Sequence, residues 1–289
     1  MAILPVESAE SLPDQPPRAR RRRLMSVRIF LGLLALLAIG SGWVVLRGYR
    51  QLTAIREIEN LGGTVIQDPV GPPGLRQLLG ANQMRMFDDV IVVDLSFTDI
   101  VTANDLQRLY EITAVNALKL NGTQLSDAGV QQLRGLRSLK FLDLEGTPVS
   151  DQGLVHLQEL TALDVLSLNR TAVTDAGLQH LRRNTAIYSL SLDATKVTDA
   201  GLQQLRAFTR LSVLSLDSTA ITDAGLQHLS RLTSLVWLSF EGTQVTDAGL
   251  QHLHGLTLLR WLYLANTKVT DAGIADLQRA LPEVNIIRQ

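Results

Sequence analysis

Seven aspartates recur at a fixed spacing of 24 residues: Asp127, Asp151, Asp175, Asp199, Asp223, Asp247 and Asp271. Carboxylates in such a series could ligate calcium or exchange protons. A calcium site needs several oxygen ligands per ion, however, and each unit offers this one carboxylate at a fixed place. In every copy a Thr or Ser precedes the aspartate and a Gly follows two positions on, the pattern of a helix start. Either the hydroxyl is the N-cap with the carboxylate in the first turn, or the aspartate itself caps. Four of the five histidines, His156, His180, His228 and His252, fill another column, with Gln132 and Gln204 in other copies. Their chemistry would be metal binding or pH sensing. Neighbouring helices lie about 10 Å apart, too far for two imidazoles to share an ion, so solvent-facing helix positions are expected. His254 falls in a loop without an evident partner. No metal site and no cofactor are expected.

Nucleophilic and cofactor chemistry also find no footing. The chain has no cysteine, which excludes disulfides, thiolate metal sites and cysteine nucleophiles. It has no G-x-S-x-G, H-E-x-x-H, phosphate-binding or dinucleotide fingerprint. No Ser/His/Asp set breaks the repeat, and the expectation is a protein that is not an enzyme.

The repeated unit is typified by Leu163 to Leu181, LDVLSLNRTAVTDAGLQHL. A degenerate copy, Val92 to Leu106, precedes the seven regular ones. The motif L-x-x-L-x-L-x-x-T-x-V-T-D-A-G-L-x-x-L resembles the leucine-rich-repeat family over Val90 to Leu281. It is most similar to the cysteine-containing subclass, with threonine at the Asn/Cys position (Thr123, Thr147, Thr171, Thr195, Thr219, Thr243, Thr267). The resemblance implies an α/β leucine-rich-repeat solenoid, with a curved parallel sheet on the concave face and helices on the convex face. With no disulfide-closed caps, it also fits a bacterial protein better than an animal ectodomain. A lone unit cannot fold: about six buried aliphatic side chains at about 1.5–3 kcal/mol each do not offset about 1–2 kcal/mol of backbone entropy per residue. Stacked units bury both faces.

Strand alternation then assigns columns. Leu142 and Leu144 point to the core, whereas Phe141, Asp143 and Glu145 face the concave side. Two helical residues, Leu154 and Leu157, pack inward, and Gly153 allows helix and strand to approach. The first concave column turns aromatic towards the C-terminus, ending in Trp237 and Trp261; the second ends in Tyr263; the third carries Asp193, Asp217 and Glu241. Trp237, Trp261, Tyr263, Asp217, Glu241, Asp193 and Phe141 are the expected binding residues, because aromatics supply contact area at low entropic cost. The acidity favours a basic or polar protein segment; a glycan stacked on the indoles is the second ligand class.

Charge is uneven along the chain. Residues 1–50 hold eight arginines against three acids, and residues 51–289 hold 19 Lys/Arg against 25 Asp/Glu. An acidic body argues against nucleic acid. The arginines before Ile29 to Leu46, an uncharged run of eighteen residues, predict a transmembrane helix with the N-terminus cytoplasmic and the repeats outside. A signal peptide cleaved after Gly40 is the competing reading.

The expected organisation is a disordered basic cytoplasmic tail (1–28), a transmembrane signal anchor (29–46), a linker helix and N-terminal cap (47–89), repeats (90–281) and a C-terminal cap (282–289). The cap would use a helix to Asn60 stopped at Gly62-Gly63, a strand from Thr64, a turn over 68–74 and a short helical face at Leu75, Leu78 and Leu79. A final strand at Val284 and Ile286 would follow Pro282. The expected function is a non-enzymatic, membrane-anchored module that binds a protein partner through its concave face. The alternatives are a secreted or envelope carbohydrate-binding or structural protein, and a soluble substrate adaptor resembling the repeat half of ubiquitin-ligase receptors.

Overall fold

The computed structural model describes residues 27–70, 76–77, 80, 84–98, 103–112 and 115–288, with backbone only for 27–41 and Trp43. All but the last two residues of the expected tail at 1–28, most of the turn over 68–74 and the helical face at Leu75, Leu78 and Leu79 lie outside the described residues. Residues 1–45 and 46–289 form two units; in the first, the described side chains of Val44 and Val45 are exposed.

In the second unit every regular repeat supplies a three-residue strand with its middle residue buried. These strands are β3 (Ala117–Lys119), β4 (Phe141–Asp143), β5 (Val165–Ser167), β6 (Ser189–Ser191), β7 (Val213–Ser215), β8 (Trp237–Ser239) and β9 (Trp261–Tyr263). They pair in parallel with a constant 24-residue register, as in Phe141↔Val165 and Leu142↔Leu166. β1 (Thr64–Asp68) pairs antiparallel to β2 (Asp89–Asp94), β2 leads into β3, and β10 (Asn285–Ile287) closes the ten-stranded sheet beside β9. The core is one continuous column of Leu, Val, Ile and Phe, with Phe208 and Phe240 its largest fully buried members.

On the other side, a short helix starts at each of the seven aspartates: α3 (Asp127–Gln131), α4 (Asp151–Leu154), α5 (Asp175–Leu178), α6 (Asp199–Leu202), α7 (Asp223–Leu226), α8 (Asp247–Leu250) and α9 (Asp271–Ala280). The structure decides which residue caps. In α4 to α8 the preceding Ser or Thr hydroxyl accepts the N–H two residues on, as Thr198 does from Ala200 at 3.3 Å. The aspartate has another task, and the expectation that it might cap is corrected. Its carboxylate reaches the next repeat. Asp175 accepts the Thr198 N–H at 2.8 Å through Oδ1 and the Thr198 hydroxyl at 2.7 Å through Oδ2. The same two bonds join Asp127 to Ser150, Asp151 to Thr174, Asp199 to Thr222, Asp223 to Thr246 and Asp247 to Thr270. Bonding to the Thr270 hydroxyl and then its N–H holds the Asp247 carboxyl below the ordinary carboxylate value. Each cap hydroxyl therefore donates to the preceding unit while accepting from its own helix.

The glycine of the step serves this clamp, which corrects the reading that Gly153 brings helix close to strand. A Cβ at Gly153 would fall 2.5 Å from Oδ1 of Asp127 and 2.9 Å from Val149 Cγ1. Gly177, Gly201, Gly225, Gly249 and Gly273 face the preceding aspartate in the same way. The degenerate repeat is the natural exception. Its helix, α2 (Ala103–Gln107), begins with alanine where the others have aspartate, and Ser126, left without a clamp from that position, makes no side-chain cap bond.

Two further columns fix the strand ends. The threonine hydroxyls donate within their own unit to the carbonyl three residues back, as Thr195 does to Leu192 at 2.6 Å, so they stabilise the bend after each strand. The residue before each threonine turns left-handed, and in the first six regular units it sends its N–H to the next unit, as Gly146 (φ 67°) does to Asn169 at 2.8 Å and Ala194 (φ 53°) to Asp217 at 2.8 Å. Glycine relieves the strain of this conformation in three copies and is replaced in Arg170, Ala194, Ser218 and Asn266.

The histidine column is half-buried at His156, His180 and His228 rather than solvent-facing. Two of these rings meet a side chain of the preceding unit: Nδ1 of His228 lies 2.8 Å from Arg206 Nη2, and Nδ1 of His180 lies 3.2 Å from Gln158 Nε2, whereas Nδ1 of His156 is buried without a hydrogen-bond partner. Nε2 of His254 lies 3.6 Å from Asp276, beyond hydrogen-bond distance. Burial, and then the neighbouring guanidinium of Arg134 or Arg206, hold His156 and His228 below the ordinary value of 6.5, against the opposing pull of Asp127 and Asp199. With a depressed folded value, the unfolded chain takes up the proton first. The contribution to stability is present above pH 6.5 and is lost as the pH falls through the folded value. The thermal midpoint is therefore expected to fall on acidification from about pH 7 to about pH 5. The pair His156→Gln and His228→Gln should flatten that fall, since Gln204 already fills this column and accepts from Arg182 Nε at 2.9 Å. An unchanged pH profile in the double variant would assign the acid sensitivity elsewhere.

The segment before the N-terminal cap differs most from expectation. Among the described residues no helix is long and apolar enough to cross a membrane. The expected transmembrane helix from Ile29 to Leu46 is corrected accordingly. With it go the signal anchor, the membrane as a partner, and the single-pass topology with a cytoplasmic N-terminus and extracytoplasmic repeats. Leu46 does not end an element: one helix, α1 (Val27–Asn60), continues through Arg47, Arg50, Arg56, Glu57 and Glu59. Its last turns bury Ala54, Ile55 and Ile58 in the repeat core, and Gln51 donates to the Asp88 carbonyl at 2.5 Å. Gly62 stops it at φ 86°. At the far end α9 stops before Leu281-Pro282, and β10 supplies a final strand that includes Ile286 but begins after Val284.

Candidate functional site

The concave face is built by alternation: each strand's buried leucine forces its two neighbours outward. Register extends the first column beyond the repeats, giving Ile66, Val92, Ala117, Phe141, Val165, Ser189, Val213, Trp237 and Trp261 side by side across nine strands. Only Ser189 interrupts this apolar stripe. The extension to Ile66, which is 55% exposed, depends on the antiparallel pairing of β1, which repeat periodicity does not predict.

At the C-terminal end the predicted residues come together. Trp237 and Tyr263 stack at 5.1 Å between ring centroids with planes tilted by 43°. Trp261 is 44% exposed, while Trp237 and Tyr263 are half-buried. In the same column as Tyr263, Ser215 and Ser239 are buried, and the Ser239 hydroxyl donates to Oδ1 of Asp217. The acids also order backbone: Asn169 accepts the Asp193 N–H at 2.8 Å, Asp193 accepts the Asp217 N–H at 2.8 Å, and Asp217 accepts the Glu241 N–H at 2.7 Å. Burial raises the Asp217 carboxyl above the ordinary carboxylate value; the Ser239 hydroxyl opposes this, and the charges of Asp193 and Glu241 reinforce it. Phe141 lies four strands from Trp237 on the same stripe and does not join the aromatic cluster.

Two of the other concave acids are matched by cations, whereas Asp143 accepts the Glu145 N–H at 3.0 Å. Lys119 pairs with Asp94 at 3.3 Å and Arg170 with Glu145 at 3.9 Å. Among the described residues no ion pair is formed by Asp193, Asp217 or Glu241. No group of three or more His, Asp or Glu side chains is placed to hold a metal ion among the described residues.

This geometry has relatives among solved structures. Internalin C2 of Listeria monocytogenes is similar to this chain at 22% identity and a TM-score of 0.55, over 68% of this chain and 80% of that one. The fold is a leucine-rich-repeat solenoid. An internalin (inlF) of the same organism aligns at 17% identity over 75% of this chain and 87% of that one, with a TM-score of 0.49. A leucine-rich-repeat protein of Leptospira interrogans, LIC12759, aligns at 18% identity over 62% and 50%, with a TM-score of 0.48. No protein-family model and no curated protein matches the chain.

Sequence reasoning missed one exposed residue on this face. Phe97, in the degenerate repeat, is 75% exposed and left-handed at φ 57°. Its ring covers the place a Cβ at Gly122 would occupy. The signal was present in the alignment of the repeats, because Phe97 stands where the regular units have Gly, Arg, Ala, Ser or Asn.

Proposed function

We propose that the chain is a non-enzymatic interaction module that binds a protein partner through the concave face of its solenoid. The site is Trp237, Trp261, Tyr263, Asp193, Asp217 and Glu241, with Phe141 further along the same stripe. The observation that carries this reading is an aromatic cluster beside three acids that have no ion pair among the described residues. Interfaces concentrate binding energy in such aromatic anchors. The unanchored forms of the reading, a secreted binder or an adaptor, are the ones retained. Placement in the cysteine-containing subclass rests on the Ile221-Thr222-Asp223 step alone.

A displayed random-peptide pool selected on the full chain tests the site. Enriched peptides are expected to lose about tenfold or more in affinity on Trp237→Ala or Trp261→Ala, and to be unaffected by Arg182→Ala on the helix side. Peptides insensitive to both tryptophans would overturn the assignment. Glycan binding lost in the same variants would give the site to a carbohydrate instead.

A further inference from the structure

The concave face has a direction as well as a composition. An apolar row on β7 to β9, Val213, Trp237 and Trp261, runs alongside an acidic row just beyond β6 to β8, Asp193, Asp217 and Glu241; the two overlap at β7 and β8, and both run perpendicular to the strands. Each row advances one residue per strand, about 4.8 Å. The rows are separated by at most four residues of extended chain, about 13 Å, close to the diameter of an α-helix with its side chains, about 10–12 Å.

From this geometry we infer that the face takes a basic amphipathic α-helix of the partner, lying along the solenoid axis with its apolar side on Trp237 and Trp261 and its cations on Asp193, Asp217 and Glu241. The inference rests on the concave-face reading above and names its ligand class. Repeat distances decide between helix and strand. A helix presents the same face every turn, about 5.4 Å, so over three strands it drifts from the acidic row by only about 1.2 Å. An extended segment laid along the same axis presents one face about every 6.8 Å and drifts about 4 Å, nearly a full strand. Charge decides the sign: the N-terminal acids Asp94 and Glu145 already have Lys119 and Arg170, whereas the C-terminal three have no ion pair among the described residues. Lysines or arginines spaced i, i+3/i+4 and i+7, flanking leucines at the same spacing, satisfy both rows.

Fluorescence anisotropy on the full chain provides the test, with three 18-residue probes. The first is a side-chain-stapled helix with Leu on one face and Lys beside it. In the second, Lys is replaced by Glu. The third has the composition of the first, scrambled and broken by two prolines. The stapled Lys helix is expected to bind at least tenfold tighter than either other probe. Trp261→Ala, and the triple change Asp193→Asn, Asp217→Asn and Glu241→Gln, should each reduce that affinity at least tenfold, whereas Asp276→Asn on the helix side should leave it unchanged. The amide changes preserve the fold, because Asn169 already performs the same backbone duty in this column; circular dichroism checks this. Equal binding of the stapled and proline-broken probes, still weakened by Trp261→Ala, would overturn the helix and leave the concave-face site standing. Probes that bind without regard to any concave substitution would overturn both.

Discussion

Gly201→Ala is expected to destabilise the solenoid by about 2–4 kcal/mol, seen as a lower urea midpoint. The same change in an exposed helix interior ordinarily stabilises by about 1 kcal/mol. The sign reverses here because the new methyl has nowhere to go. It would overlap Oδ1 of Asp175 and lie 2.8 Å from Val197 Cγ1 and 3.2 Å from Asp175 Cγ. Both neighbours are short side chains, so the methyl must push the carboxylate off Thr198 or part the two repeats. Removing the carboxylate therefore removes much of the conflict. The double variant Gly201→Ala/Asp175→Ala should cost at least about 1 kcal/mol less than the sum of the singles, the coupling expected of groups in contact. A stabilised Gly201→Ala, or strict additivity with Asp175→Ala, would show that the glycine has some other purpose.

Asp175→Ala alone should cost about 2–4 kcal/mol, because it removes two charge-assisted hydrogen bonds and leaves the half-buried Thr198 N–H without its acceptor. Asp175→Asn keeps Oδ1 as an acceptor and should cost about half as much. Since repeat stability is close to a sum of unit and interface contributions, the damage should be local. Hydrogen exchange is the sharper measurement: the Thr198 amide should lose protection in Asp175→Ala, while that of Thr246, clamped by Asp223, should keep its own. Unchanged protection at Thr198 would mean that the strand pairing alone holds the two units together.

These two expectations depend on contacts that a repeat alignment cannot display. From the spacing of Asp127 to Asp271 the sequence determined the number of regular units, their register, the inward leucines and the outward columns, because a strict 24-residue period with strand alternation admits one stacking. Trp237, Trp261 and Tyr263 could be assigned to one face on the same grounds. Periodicity says only that Thr, Asp and Gly share a position, however. It took the stacked structure to show that Asp175 serves Thr198 and that Gly201 makes room for it, since these bonds run between units and not within one.

Local pattern was least informative where the chain leaves the repeat. The expected cap helix to Asn60 gives Ala54, Ile55 and Ile58 to the repeat core, yet hydropathy divided the N-terminal region at Leu46, where α1 continues without a break. A running average of hydropathy weighs each segment alone, whereas the end of a solenoid takes its partner from whatever tertiary packing brings against it. The same holds for charge. Asp94, Glu145 and Asp217 look alike in sequence, and only the packed face shows which two have a cation. Pairing across repeats depends on side-chain reach, which the one-dimensional order of residues does not encode.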